Sequence, residues 1–205
     1  MKRSFWLAVI ALAFSISAGA LTVLQLNLEQ LTGLSEKIFV GRCVDVTQEK
    51  DAKGRTVQKV TFDVLQTLKG DPETQVTFRQ LGFVEGAAGL ESLQTPPDVQ
   101  VQSLDRDLPH YQVGEESIVF LSAPGDSGIT APVGLGQGKF TVMETGGAKT
   151  VVNGAGNRGL FIGADKSPKI KAMFLTSADK SLMKVNGGAL PYDAFVSLVK
   201  KLAIP

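Results

Sequence analysis

His110 and Cys43 are each the only residue of their kind in a chain of 205. A lone histidine can serve a catalytic triad as general base, but a zinc centre usually needs several His or Cys ligands. Asp105 and Asp107 lie near His110 at a loop spacing that implies no shared face. His110 therefore reads first as a surface loop residue. Cys43 sits in an apolar run with Phe39, Gly41 and Asp45 on its side of an alternating pattern, which reads first as a buried, inert thiol, with a reactive or intermolecular thiol as the alternative. No intrachain disulfide is open to a single cysteine.

Residues 154–159 (GAGNRG) match G-x-G-x-x-G. That motif holds a pyrophosphate only where it opens a helix whose amides point at the ligand. Leu160-Phe161-Ile162-Gly163 follows and has no helix-opening character, so the stretch reads as a glycine-rich loop. G-x-S-x-G and H-E-x-x-H do not occur. Carboxylates are plentiful but unlocalised, so a carboxylate-dependent hydrolase stays open as an alternative. No cofactor and no metal are expected.

Charge is unevenly placed. Residues 71–117 hold nine acids and two arginines, and residues 149–184 hold seven cations against Asp165 and Asp179. Opposite patches of this kind suit docking. The candidate partner surface comprises Glu85, Glu91, Asp98, Asp105, Asp107 and His110 on the acidic side and Lys166, Lys169 and Lys171 on the basic side.

The address precedes these groups. Lys2 and Arg3, an apolar run from Phe5 to Phe14 and the closing Ala18-Gly19-Ala20 have the form of a cleaved secretory signal over residues 1–20. The expected mature chain starts near Leu21 and is periplasmic or secreted. Cleavage removes Trp6, the only tryptophan, and leaves 19 positive and 20 negative side chains. That balance argues against a nucleic-acid partner. No later stretch reaches about 18 apolar residues, so no membrane contact is expected after cleavage.

The elements follow from periodicity. Asn27 can cap a short helix carrying Leu28, Leu31 and Leu34. Ile38, Val40, Val44 and Val46 alternate as a half-buried strand, and residues 50–54 turn the chain. Val60, Phe62 and Val64 share one face of a second strand, and Val76 and Phe78 point inward from a third. Residues 82–110 lose this rhythm and form a long excursion. Ser117 to Leu121 is a short apolar strand, and residues 133–143 (VGLGQGKFTVM) read as another, with a bulge expected at its glycines. A turn at Thr145-Gly146-Gly147 leads to residues 150–153. Residues 169–175 fit a strand or one helical turn. Phe195, Leu198, Val199 and Leu202 give an amphipathic helix over 191–203. The pattern predicts a mainly β chain: one domain over 21–205, built as a small antiparallel OB-like β-barrel with a helix at each end.

Three blocks carry a resemblance: residues 34–44 (LSEKIFVGRCV), residues 60–70 (VTFDVLQTLKG), and residues 113–121 (VGEESIVFL) with 133–142 (VGLGQGKFTV). Their order, over about residues 27–143, resembles a family of exported bacterial proteins of uncharacterised function. The first two blocks are similar to the OB-like barrel of the netrin and metalloproteinase-inhibitor (TIMP) superfamily. TIMP-type inhibitors chelate the protease zinc through an N-terminal cysteine, and they staple the barrel with disulfides. Here Leu21 stands at the expected terminus and Cys43 is mid-strand, so that mechanism does not transfer. The resemblance implies a fold and no catalytic residue. The leading expectation is a non-enzymatic exported binding module for a protein partner. The alternatives are an inhibitor or accessory partner of an exported protease, and the hydrolase.

Overall fold

The computed structural model describes residues 24–82 and 108–204. The proposed signal, the body of the excursion, and Glu85, Glu91, Asp98, Asp105 and Asp107 lie outside the described residues.

Asn27 starts α1 (Leu28–Leu34) through a capping box with Gln30, and Leu28 and Leu31 face the core. Leu34, expected on the same side, is exposed. Two long strands follow, β1 (Lys37–Lys50) and β2 (Thr56–Lys69), then β3 (Gln75–Leu81). After the excursion come β4 (Glu116–Leu121), β5 (Lys139–Thr145) and β6 (Ala148–Asn153). Three helices, α2 (Pro168–Ala172), α3 (Ser177–Leu182) and α4 (Tyr192–Ala203), surround the two-residue β7 (Leu190–Pro191).

The strands form one antiparallel sheet in the order β3-β2-β1-β4-β5-β6-β7. Its ladder is open and does not close into a barrel, which corrects the sequence expectation. The far edges, β3 and β7, do not pair with each other. One local link crosses the smaller half: the Thr130 amide donates to the Arg79 carbonyl (2.8 Å), and the Val133 amide to that of Phe120 (2.8 Å).

Both faces of the sheet are buried at its centre. β4 sends Ile118 and Phe120 to one side and Val119 and Leu121 to the other, which is why it reads as an unbroken apolar run. The larger cluster packs Ile38, Val40, Phe120, Phe140 and Val151 against α1 and α4. Phe195 of α4 meets Phe140 at 4.7 Å between ring centres. Each such side chain contributes on the order of 1.5–3 kcal/mol when fully buried. The smaller cluster joins Phe39, Cys43, Val60, Phe62, Val76, Phe78 and Tyr111.

A bulge explains one departure from the sequence pattern. Cys43 faces Phe62 and Asp45 faces Thr61, so Val44 is an extra residue on β1. The slip puts Val46 against the smaller cluster, not on the side of Ile38 and Val40, and leaves Val44 exposed. Gly41 stands at a second register shift, where a Cβ would lie 3.0 Å from the Asp63 carbonyl oxygen. The expected strand over 133–143 is also broken. Gly134 takes φ 66° and starts a 3-10 turn at Leu135–Gln137 before β5 begins. Residues 168–172 settle as helix, with Ser167 accepting from the Ile170 amide.

Candidate functional site

At the start of β5 and the end of β6 the chain forms a cleft of about 610 Å³. Its walls are the 3-10 turn, the start of the glycine-rich loop, residues 108–110 and Gln25 ahead of α1. The turn is tied from three directions. The Gln137 amide group donates to the Leu24 carbonyl (3.0 Å) and accepts from the Leu26 amide (2.9 Å). The Asn153 side chain donates to the Gln137 carbonyl (3.0 Å). Gly136 accepts from the Gly154 amide (2.8 Å), and a Cβ at Gly154 would lie 3.0 Å from that carbonyl oxygen.

The G-x-G-x-x-G stretch does structural work here. Asn153 and Asn157 exchange side-chain-to-amide hydrogen bonds (2.8 and 3.0 Å). Asn157 also donates to the Val151 and Gly188 carbonyls (2.9 and 2.8 Å) while holding φ 58°. Turns follow rather than a helix, so no row of amides faces a phosphate.

Beneath the cleft sits its densest polar group. Lys139 Nζ contacts Glu115 Oε1 at 2.6 Å and donates to the His110 carbonyl at 2.6 Å. The same ammonium lies 5.2 Å from the Tyr111 ring centre. Glu115 also accepts from Ser117 Oγ (2.8 Å) and Thr141 Oγ1 (3.0 Å). Tyr111 donates to Gln80 (3.2 Å), and Gln80 donates to the Pro109 carbonyl (3.1 Å). Residues 109–111 are thereby held against the smaller cluster, to which Tyr111 belongs. Burial pushes the Tyr111 hydroxyl well above its ordinary pKa.

No family model, curated protein or solved structure matches this chain. What the site does is therefore argued from its own groups.

Cys43 lies in the small cluster with its thiol pushed up to about 11, chiefly by burial. His110 is exposed and lines the cleft. Lys166, Lys169 and Lys171 do not line it; they belong to α2 and its approach, where Lys169 donates to the Ile204 carbonyl (2.7 Å). Arg158 does line the cleft, and so do Thr141 and Asn153. Sequence reasoning missed all three because strand and loop periodicity says nothing about which edges converge. Three Ser-x-x-Lys tetrads, Ser177 with Lys180, Ser181 with Lys184 and Ser197 with Lys200, have all six side chains exposed and outside the cleft. Among the described residues lining the cleft none is a carboxylate. No group of three or more His, Cys, Asp or Glu among the described residues is placed to hold a metal.

Proposed function

We propose that the chain is an exported binding module that receives an extended segment of a protein partner in this cleft. The observation that supports it is the cleft's preorganisation. Gln137 and Asn153 are fixed by hydrogen bonds to the scaffold, Lys139 is neutralised by Glu115, and the glycines of the turn expose main chain. Fixed amides and open backbone suit a polypeptide, whose own groups can pair with them at low ordering cost. Arg158 and the absence of lining carboxylates among the described residues favour a neutral or acidic segment.

The fold reading goes with this. The hydrogen bonds through residues 129–133 run round the small cluster from β3 to β4 and support an OB-like reading of that half, with the netrin/TIMP similarity it carries. Export from the signal-like leader supplies the compartment. A hydrolase using paired carboxylates finds no such pair among the described lining residues.

The test is photo-crosslinking in the exported fraction from a probe at Thr141, with Met143 as an exposed control. A single recurrent partner is expected from Thr141 alone. Filling the cleft by Ala155→Trp, or reversing charge by Arg158→Glu, should remove the adduct while far-UV circular dichroism stays unchanged. Equal yield from both positions, or an adduct indifferent to both substitutions, overturns the reading. If the partner is a protease whose activity falls on binding, the inhibitor form of the proposal holds.

A further inference from the structure

The basic segment presents a second surface of different chemistry. Between α2 and α3, Phe174 is 88% exposed, the most exposed large apolar side chain among the described residues. Five lysines surround it in sequence: Lys166, Lys169, Lys171, Lys180 and Lys184. None of them forms an ion pair among the described residues. The one acid within residues 166–184, Asp179, is buried and held by Lys201 at 2.5 Å. Asp165 adjoins Lys166 just outside this stretch, so the five lysines stand against a single exposed acid in the sequence.

The helices fix this arrangement. Ile170 anchors α2 in the large cluster, while Leu182 and Asp179 anchor α3. The connection between them is left at the surface, with Phe174 exposed on it. Lys69 adds to the field: its amine is lowered below the ordinary value by burial and by the neighbouring charge of Lys169.

We infer that residues 166–184 dock the protein on an anionic lipid surface, with Phe174 entering the headgroup boundary and the lysines meeting phosphate groups. An exposed phenylalanine with five lysines near it in the sequence has the chemistry of interfacial attachment. Protein interfaces draw on Tyr, Trp and Arg and are depleted in Lys, so a protein is the less fitting occupant. This goes beyond the cleft and uses none of its residues. It also departs from the expectation that the exported chain meets no membrane. Attachment of this kind needs no spanning helix, and none long and apolar enough occurs among the described residues.

Sedimentation with vesicles tests the inference, using the chain as recovered from the exported fraction. Phosphatidylcholine vesicles are compared with vesicles in which about one third of the lipid is phosphatidylglycerol. Binding should occur to the anionic vesicles only and weaken with salt. Lys171→Glu with Lys180→Glu should reduce it by about tenfold or more. Phe174→Ala should reduce it about fivefold, whereas Phe174→Trp should retain it and show emission that shifts to the blue on addition of anionic vesicles. These exposed positions leave folding intact, checked by an unchanged melting temperature. Equal binding to both vesicle types, indifference to charge reversal, or an unshifted emission from the Phe174→Trp variant would each overturn the inference. Retention on polyglutamate without vesicle binding would also overturn it, in favour of an acidic protein. The crosslink at Thr141 is read separately, so either proposal can fail alone.

Discussion

Lys139 on β5 and Glu115 just before β4 form an ion pair of 2.6 Å beside the smaller apolar cluster, where Lys139 lies over the Tyr111 ring. The lysine side chain is 9% exposed and the glutamate 18%. Desolvating both charges is costly, and Ser117, Thr141 and the His110 carbonyl offset that cost by completing their hydrogen bonds. The pair joins β5 to the residues that wall the cleft, so its loss should be felt there first.

Lys139→Met strands Glu115 among hydroxyls and should destabilise the fold by about 3 kcal/mol, the low end of the range for breaking a buried pair because both groups keep some solvent. Glu115→Gln should cost less, since the amide oxygen still accepts from Ser117 or Thr141. The double variant should be less harmful than the sum of the two. Urea unfolding of the four proteins closes this cycle, and strict additivity would mean that the two side chains are not coupled.

The Cys43 thiol is nearly inaccessible and its pKa is pushed up to about 11 by burial. Both conditions suppress the reactive thiolate. Labelling with a thiol reagent at neutral pH should be negligible in the native protein and complete in denaturant. Rapid labelling of the folded chain would require the small cluster to open far more readily than its packing implies.

Local patterns carried well from sequence into structure, and non-local ones did not. Asn27 before Leu28 and Leu31 marked α1, Val60 and Phe62 marked the inner face of β2, and Phe195 to Leu202 marked α4. Each depends on residues a few positions apart. Barrel closure depends on which distant edges pair, and alternation cannot supply that. The Val44 bulge reversed the side taken by Val46, a one-residue slip that periodicity reads straight through. Helix α3 was missed although Thr176 and Asp179 carry a capping-box spacing, because the helix that follows has only 6 residues. Lys139 had a readable signal, a charged residue inside an apolar strand, but its partner lies 24 positions away.

Asn157 should be among the least replaceable residues of the glycine-rich loop. It is buried, accepts from the Asn153 amide and donates to the Val151 and Gly188 carbonyls, all from a left-handed backbone. Asn157→Ala loses these bonds and adds strain, for about 3–4 kcal/mol in total. Asn157→Gly loses the same bonds but relieves the φ constraint, so it should be milder by about 1 kcal/mol. Chemical denaturation ranks the two. A glycine variant as damaging as alanine would show that backbone conformation contributes little at this position.

Asp179 gives the fold a dependence on acid. Burial alone would raise its carboxyl pKa, but hydrogen bonds from Lys201 and Thr176 outweigh burial and hold it below the ordinary value. A folded-state pKa below the unfolded one means that the unfolded chain binds protons more readily. The stabilisation is therefore fully present above the unfolded value near pH 4 and is lost as pH falls through the depressed folded value. Asp179→Asn removes this titration along with the charge pairing to Lys201 on α4. The stability gap between wild type and Asp179→Asn should be widest at neutral pH and narrow as acid protonates the native carboxyl. Urea midpoints for both proteins from about pH 7 to pH 3 measure it, and a gap that stays constant or widens in acid would contradict the assignment of a charged Asp179 to the α3–α4 contact.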